Sequence, residues 1–231
     1  MIDPAFYTAF VASRICHDLV SPISSVSSAL DMLDDPSLDE AMKRPSEDLL
    51  RDGAKKLQAS ILFLRYAFGS MGMSDSVADI HEAKQITERY VALHRPDLAW
   101  DIETSHFSYF HARMMMHLVL YGVACLPRGG LLTVRIKDHD GHPSVVVHAQ
   151  ATSPKPDQKA TSDLKPEIVA AISGDADSHD WNARSIQALF GANVADQLGV
   201  KVTANRISES EIIFAANQLL VEAKVSREGI S

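Results

Sequence analysis

The sequence predicts an α + α/β protein in two parts, a helical hairpin followed by an α/β sandwich with helices on one face of a sheet. Three observations carry this. Two long stretches, residues 13–33 and 45–67, repeat apolar residues at helical spacing. The run Gly69-Ser70-Met71-Gly72-Met73-Ser74 then breaks the pattern. Beyond it, helical segments alternate with short β-rich runs, the mixed order of a layered domain. The expected domains are 1–70 and 75–220, with a loose tail at 221–231 that has little to pack.

Asp3 and Pro4 suit the N-cap and first turn of the first helix. Within Ser13–Leu33, Ile15, Leu19, Ile23, Val26, Leu30 and Leu33 gather on one stripe, and His17 falls opposite with Ser21, Ser24 and Ser28. Arg14 and Asp18 flank the imidazole. Pro22 cannot donate to the carbonyl of Asp18, so a local bend is expected just past the histidine. Asp18 can hold one ring nitrogen of His17, which leaves the other free as a nucleophile, since imidazole is largely neutral at physiological pH. From spacing alone an ordinary surface histidine beside an ordinary acid is the commoner case. Phe6 and Phe10 share His17's side, where solvent-facing aromatics need a cover, and the C-terminal domain is the favoured one. Asp34-Asp35-Pro36-Ser37 closes the helix.

The second helix spans at least Pro45–Ala67, with Pro45 read as a first-turn residue and Leu49, Leu50, Leu57, Ile61, Leu64 and Phe68 as its stripe. Leu38–Lys43 can add a turn before it. One hairpin buries one seam and leaves apolar positions over, so two hairpins are expected to pair as a homodimeric four-helix bundle. In the second domain, Asp79–Leu93 reads as a helix, Leu98–Glu103 as a strand and Phe110–Leu126 as an apolar helix closed by Pro127-Arg128-Gly129-Gly130. A hairpin of residues 131–138 and 144–151 turns through Asp140-Gly141-His142-Pro143. Helices at Pro166–Ile172 and Asn182–Leu198 and strands at 199–207 and 210–217 complete the order.

Composition narrows the function classes. A chain of 231 residues, 46% hydrophobic and 23% charged, is that of a folded soluble protein. No apolar run approaches the ~20 residues of a membrane span, and the start MIDPAFYTAF has no basic segment before an apolar core, so a cytoplasmic location is expected. Cys16 and Cys125 stand far apart, which suggests neither a disulfide framework nor a zinc site. A formal charge of −8 argues against sequence-independent nucleic-acid binding.

The hexapeptide His17-Asp18-Leu19-Val20-Ser21-Pro22 resembles the phospho-acceptor box of two-component histidine kinases. Together with the stretch from Lys55 to Ser70, it more specifically resembles the alphaproteobacterial histidine phosphotransferases of the ChpT type. That resemblance implies that His17 carries a phosphoryl group, that Asp18 orients its ring, and that Arg14, Ser21, Ser24 and Ser28 form a docking surface for receiver domains. It also implies a dimeric bundle, an upstream hybrid kinase of the CckA type and response regulators such as CtrA, in cell-cycle control. Any Mg²⁺ would come from the receiver, and no cofactor is expected in this chain.

The second domain resembles the Bergerat-type ATP-binding domain of histidine kinases, with departures at each nucleotide element. Where a kinase offers asparagines to Mg²⁺ and phosphates, this chain has His117 and Tyr121, poor substitutes for oxygen ligands. His148-Ala149-Gln150-Ala151 stands in place of Asp-x-Gly-x-Gly, and Asn182-Ala183-Arg184-Ser185 in place of a glycine-rich phosphate loop. The expectation is a domain that keeps its fold and lacks ATP. Bland readings suffice elsewhere. His106, His111 and His117 do not share a helical face, His139 and His142 flank a solvated turn, and Met114-Met115-Met116 reads as packing. Lys155–Lys165 reads as a flexible remnant of a nucleotide lid. A divergent ATP-dependent kinase and a non-catalytic docking module remain the competing functions.

Overall fold

The computed structural model describes residues 4–69, 77–104, 107–139, 142–153, 158–175, 181–197 and 199–217. Asp3, most of the glycine-rich break, His106, the tip Asp140-Gly141 and the tail from Val221 lie outside them.

Helix α1, Pro4–Leu33, and helix α2, Glu40–Phe68, form the hairpin. Asp35 turns the connection by accepting from the Ser37 backbone N–H at 2.8 Å and from its hydroxyl at 2.7 Å. Asp39 then caps α2 through the Ala41 N–H. The helix begins at Glu40, within the additional turn expected before Pro45, and one reading is corrected: Pro45 stands inside the helix rather than in its first turn. Asp39 caps the first turn, and the packing of α2 along α1 holds the helix through the backbone bond that Pro45 forfeits. The helices meet closely at Gly53, where an added Cβ would come within 3.0 Å of Val26 Cγ2.

The α1 stripe is partly corrected as well. Only Pro22 and Ala29 of α1 are buried, so the side facing α2 is turned from the expected one. Ile23 and Leu30 stay 46% and 45% exposed, and on α2 Leu49 and Ile61 are similarly uncovered. The apolar band is wider than one neighbouring helix can cover.

The remainder is a five-stranded sheet with order β1-β2-β3-β5-β4. Its strands are β1 Pro96–Glu103, β2 Gly130–His139, β3 His142–Ala151, β4 Lys201–Arg206 and β5 Glu211–Asn217. Strands β1 and β2 are parallel, joined by a crossover through helix α4, Tyr109–Cys125; the other pairings are antiparallel. Helix α3, Ile80–Val91, precedes the sheet, and helices α5, Pro166–Ser173, and α6, Ala183–Gln197, lie between β3 and β4. Strand alternation decides the layering. Leu132, Val134 and Ile136, Val145, Val147 and Ala149, and Ile212, Phe214 and Ala216 are buried on one face against α4 and α6. The opposite face carries Arg135 and Lys137, ion-paired with Asp101 and Glu103.

At the turn into β2, Gly130 has φ 146°, and a Cβ there would meet the Gln150 carbonyl oxygen at 2.2 Å, so this position requires glycine. The Met114–Met116 run is fully buried, as a packing role requires. Cys125 is buried, which pushes its thiol up to about 12, whereas Cys16 is exposed. No helix among the described residues is long and apolar enough to cross a membrane.

Candidate functional site around His17

The site is built on the middle of α1, four turns from its start. His17 is 74% exposed, and its Nδ1 lies 3.3 Å from Asp18 Oδ1, which leaves Nε2 toward solvent. Which nitrogen carries the proton follows from that contact: Nδ1–H donates to the carboxylate, and Nε2 keeps its lone pair. Ser21, Ser24 and Ser28 are exposed along the same helix. Arg14 and Asp18, by contrast, are not on open surface. Their side chains are 16% and 14% exposed, with Arg14 Nη2 at 3.0 Å from Asp18 Oδ2. Asp18 Oδ2 and Arg14 Nε have no well-aligned hydrogen bond, so this is an ion pair inside a cleft.

The cleft holds about 330 Å³ and separates the hairpin from the sheet domain. Arg14, Asp18 and Lys56 line one side; Tyr90, His94 and Val123 line the other. Burial raises Tyr90 above the ordinary tyrosine range, and the nearby Asp18 carboxylate adds to that. Burial lowers His94, with Asp18 opposing and Arg14 assisting. Tyr90, in α3, and His94, in the turn after it, thus sense the charges beside His17. Lys56, Tyr90 and His94 escaped the sequence reading because each is remote from His17 in the chain and sits in no motif. The only signal available was a cationic or polar residue at the edge of an apolar stripe.

The aromatic side of α1 is covered as expected. Phe6 and Phe10 lie 6.0 and 5.9 Å from the Trp181 ring, and Tyr7 stacks on Phe190 at 6.3 Å. Asn193 Nδ2 donates to Tyr7 Oη at 2.9 Å, and burial pushes that phenol up to about 12.

His117 and Tyr121 face inward from α4. His117 is fully buried and its Nε2 donates to the Ala67 carbonyl at 2.9 Å. Tyr121 donates to the Ala188 carbonyl at 3.0 Å and presses on α6, where a Cβ at Gly191 would fall 1.9 Å from Tyr121 Oη. His111 belongs to the capping box of α4 with Ser108. Its ring and that of His117 therefore serve different local structures. Trp181 Nε1 is buried without a partner among the described residues. His148, in the strand that would lead to an adenine loop, sits 3.4 Å from Glu211 Oε2.

The family model for the histidine phosphotransferase C-terminal domain matches residues 80–210, more than half of the chain. The chain belongs to this family. It is 26% identical over 208 residues to the protein phosphotransferase ChpT of Brucella abortus, covering 90% of this chain and 93% of that protein. The fold is also that of a solved bacterial phosphotransferase, with a TM-score of 0.79 over 94% of this chain and 98% of the other at 24% identity. The family match covers the sheet domain; the relative and the solved structure extend the similarity across the hairpin that carries His17.

Proposed function

We propose that the protein relays a phosphoryl group between receiver domains through His17. The donor is the receiver of a hybrid histidine kinase of the CckA kind, and the acceptors are response regulators of the CtrA kind. The observation that carries this reading is His17 itself, an exposed imidazole with Nδ1 on a carboxylate and Nε2 open, in a chain of the histidine phosphotransferase family.

Nε2 attacks the phosphorus of the receiver's aspartyl phosphate in line. The N–P bond forms as the P–O bond to the aspartyl carboxyl group breaks, and the electron pair leaves with the carboxylate. The Nδ1 proton stays on the ring, facing Asp18, which offsets the charge that the imidazole gains. In the second half-reaction a carboxylate oxygen of the next receiver attacks phosphorus, the P–N bond breaks, and the pair returns to Nε2. Mg²⁺ held by the receiver's acidic pocket would neutralise the phosphoryl oxygens. This chain contributes position and orientation. Arg14, ion-paired with Asp18 at the cleft, meets those oxygens or the receiver's edge only where they reach the cleft mouth, and Ser21, Ser24 and Ser28 give a surface of low relief on which the receiver lies.

The sheet domain is a kinase-type ATPase fold without a nucleotide site. Support comes from the side chains that occupy the decisive places: His117 is committed to Ala67, and Tyr121 fills the space beside Gly191. Uncovered Ile23, Leu30, Leu49 and Ile61 support a homodimer in which two hairpins close a four-helix bundle. The protein is expected to work in the cytoplasm.

The test is label transfer from a phosphorylated receiver domain to the full chain, with His17→Ala and an ATP-only mixture alongside. Acid-labile label on wild type alone, and only with a receiver present, is the expected outcome. Label taken from ATP makes the protein a kinase, and no label under any condition makes it a docking module.

A further inference from the structure

Helix α2 ends against α4, and α4 caps it. The last carbonyls of a helix have no partner within it and must find one elsewhere. Here the Tyr66 carbonyl accepts from Arg113 Nε at 3.4 Å, the Gly69 carbonyl from Arg113 Nη2, and the Ala67 carbonyl from His117 Nε2 at 2.9 Å. Arg113 is only 5% exposed, and these oxygens, at the negative end of the α2 dipole, are among the groups that meet its charge. Phe68 stands edge-on to His117 at 5.0 Å and leans on Phe190 at 5.1 Å. Phe190 in turn stacks on Tyr7 near the start of α1. The hairpin is thus held on both of its helices, and the cleft beside Asp18 lies along the seam so fixed, with Tyr90, His94 and Val123 as its far wall.

We propose that Arg113 and His117 are positioning residues for phosphotransfer: by clamping the carboxyl end of α2 they set the distance between the α3–α4 wall and the helix that carries His17. This rests on the phosphotransfer reading above. A receiver lying on α1 over His17 abuts the mouth of this cleft, whose rim it meets at a preset spacing, and in-line transfer tolerates little misplacement. A shift of about 1 Å can cost on the order of a hundredfold. Arg113 and His117 touch no reacting atom. They act through α2 and the wall.

The clamp is tested in the full chain with His117→Leu and Arg113→Met, which delete the donors, and His117→Gln, which returns an N–H at the same reach. Phosphoramidate, a small donor that needs no protein docking, loads His17 in each variant and serves as the control. Transfer from phospho-His17 to the CtrA-type receiver domain is expected to slow by roughly tenfold or more in the two deletion variants. Loading by phosphoramidate stays at the wild-type level, and His117→Gln restores transfer. In a Cys16→Ser background, nitroxide labels at Lys55→Cys and Ala124→Cys report the separation of α2 from α4 across the cleft; their distance distribution should broaden in His117→Leu and not in His117→Gln. Unchanged distances, or unchanged transfer despite broadened distances, would overturn the proposal, as would a His117→Gln protein no faster than His117→Leu. Should wild type fail to pass label to any receiver, the phosphotransfer reading falls, and the positioning role falls with it, while the distances still show whether the clamp exists. If one of the two deletion variants fails to fold, the other carries the same comparison.

Discussion

Lowering the pH should weaken this protein specifically through His117. Its ring is fully buried with Nε2–H on the Ala67 carbonyl, so a second proton would have to sit on Nδ1, which has no acceptor among the described residues and lies near Arg113. Burial is the largest cause of the shift, and it lowers the pKa from 6.5 to about 4. The folded value is depressed, so the unfolded chain binds more protons between the two values. Stability is therefore full above pH 6.5, falls as the pH drops, and reaches its lower limit below about 4. At ~1.4 kcal/mol per pH unit the full loss is about 3 kcal/mol, most of it already present at pH ~4.5. The assay is urea unfolding of the full chain at neutral pH and near pH 4.5, for wild type and for His117→Gln. Carboxylates protonate in both proteins, and the difference isolates the imidazole. Wild type should lose about 2 to 3 kcal/mol more than the variant. Equal losses would refute the argument, because they would mean that His117 charges without penalty.

Asp18→Asn should slow loading of His17 by phosphoramidate by about tenfold, since an amide neither fixes the Nδ1 proton as firmly nor balances the developing charge; label counting over time checks it. Ile23→Glu with Leu30→Glu should convert the proposed dimer to a monomer in light scattering while leaving the helical circular dichroism of the monomer intact, because both side chains are already half exposed in the single chain.

Much of the fold could be read from local chemistry. The capping residue Asp79, the Pro-Arg-Gly-Gly turn and the alternation in β2, β3 and β5 are short-range signals, and the elements formed where those signals lay. Pro45 misled because first-turn proline is common, while the competing cap six residues earlier, Asp39, looks like any loop aspartate. His17, Asp18 and the serines could be found because they share one helix. Lys56, Tyr90 and His94 could not, since only the docking of two domains brings them to the same cleft. His117 was legible as a departure from a nucleotide site, but its bond to Ala67 spans fifty positions of chain and belongs to tertiary structure alone.

The last two turns of α2 have a wider consequence. Phe63, Tyr66 and Ala67 belong to the same buried cluster as the sheet and α4, and Phe63 stacks on Tyr90 at 4.0 Å. A cut after the hairpin would leave these side chains wet and three carbonyls bare, so the phosphotransfer helices are not a cassette that can be lifted out and grafted. Lineages that rewire such a relay to new receivers are then confined to exchanging side chains on the exposed face of α1, because shuffling the hairpin as a unit would unravel the body it grows from.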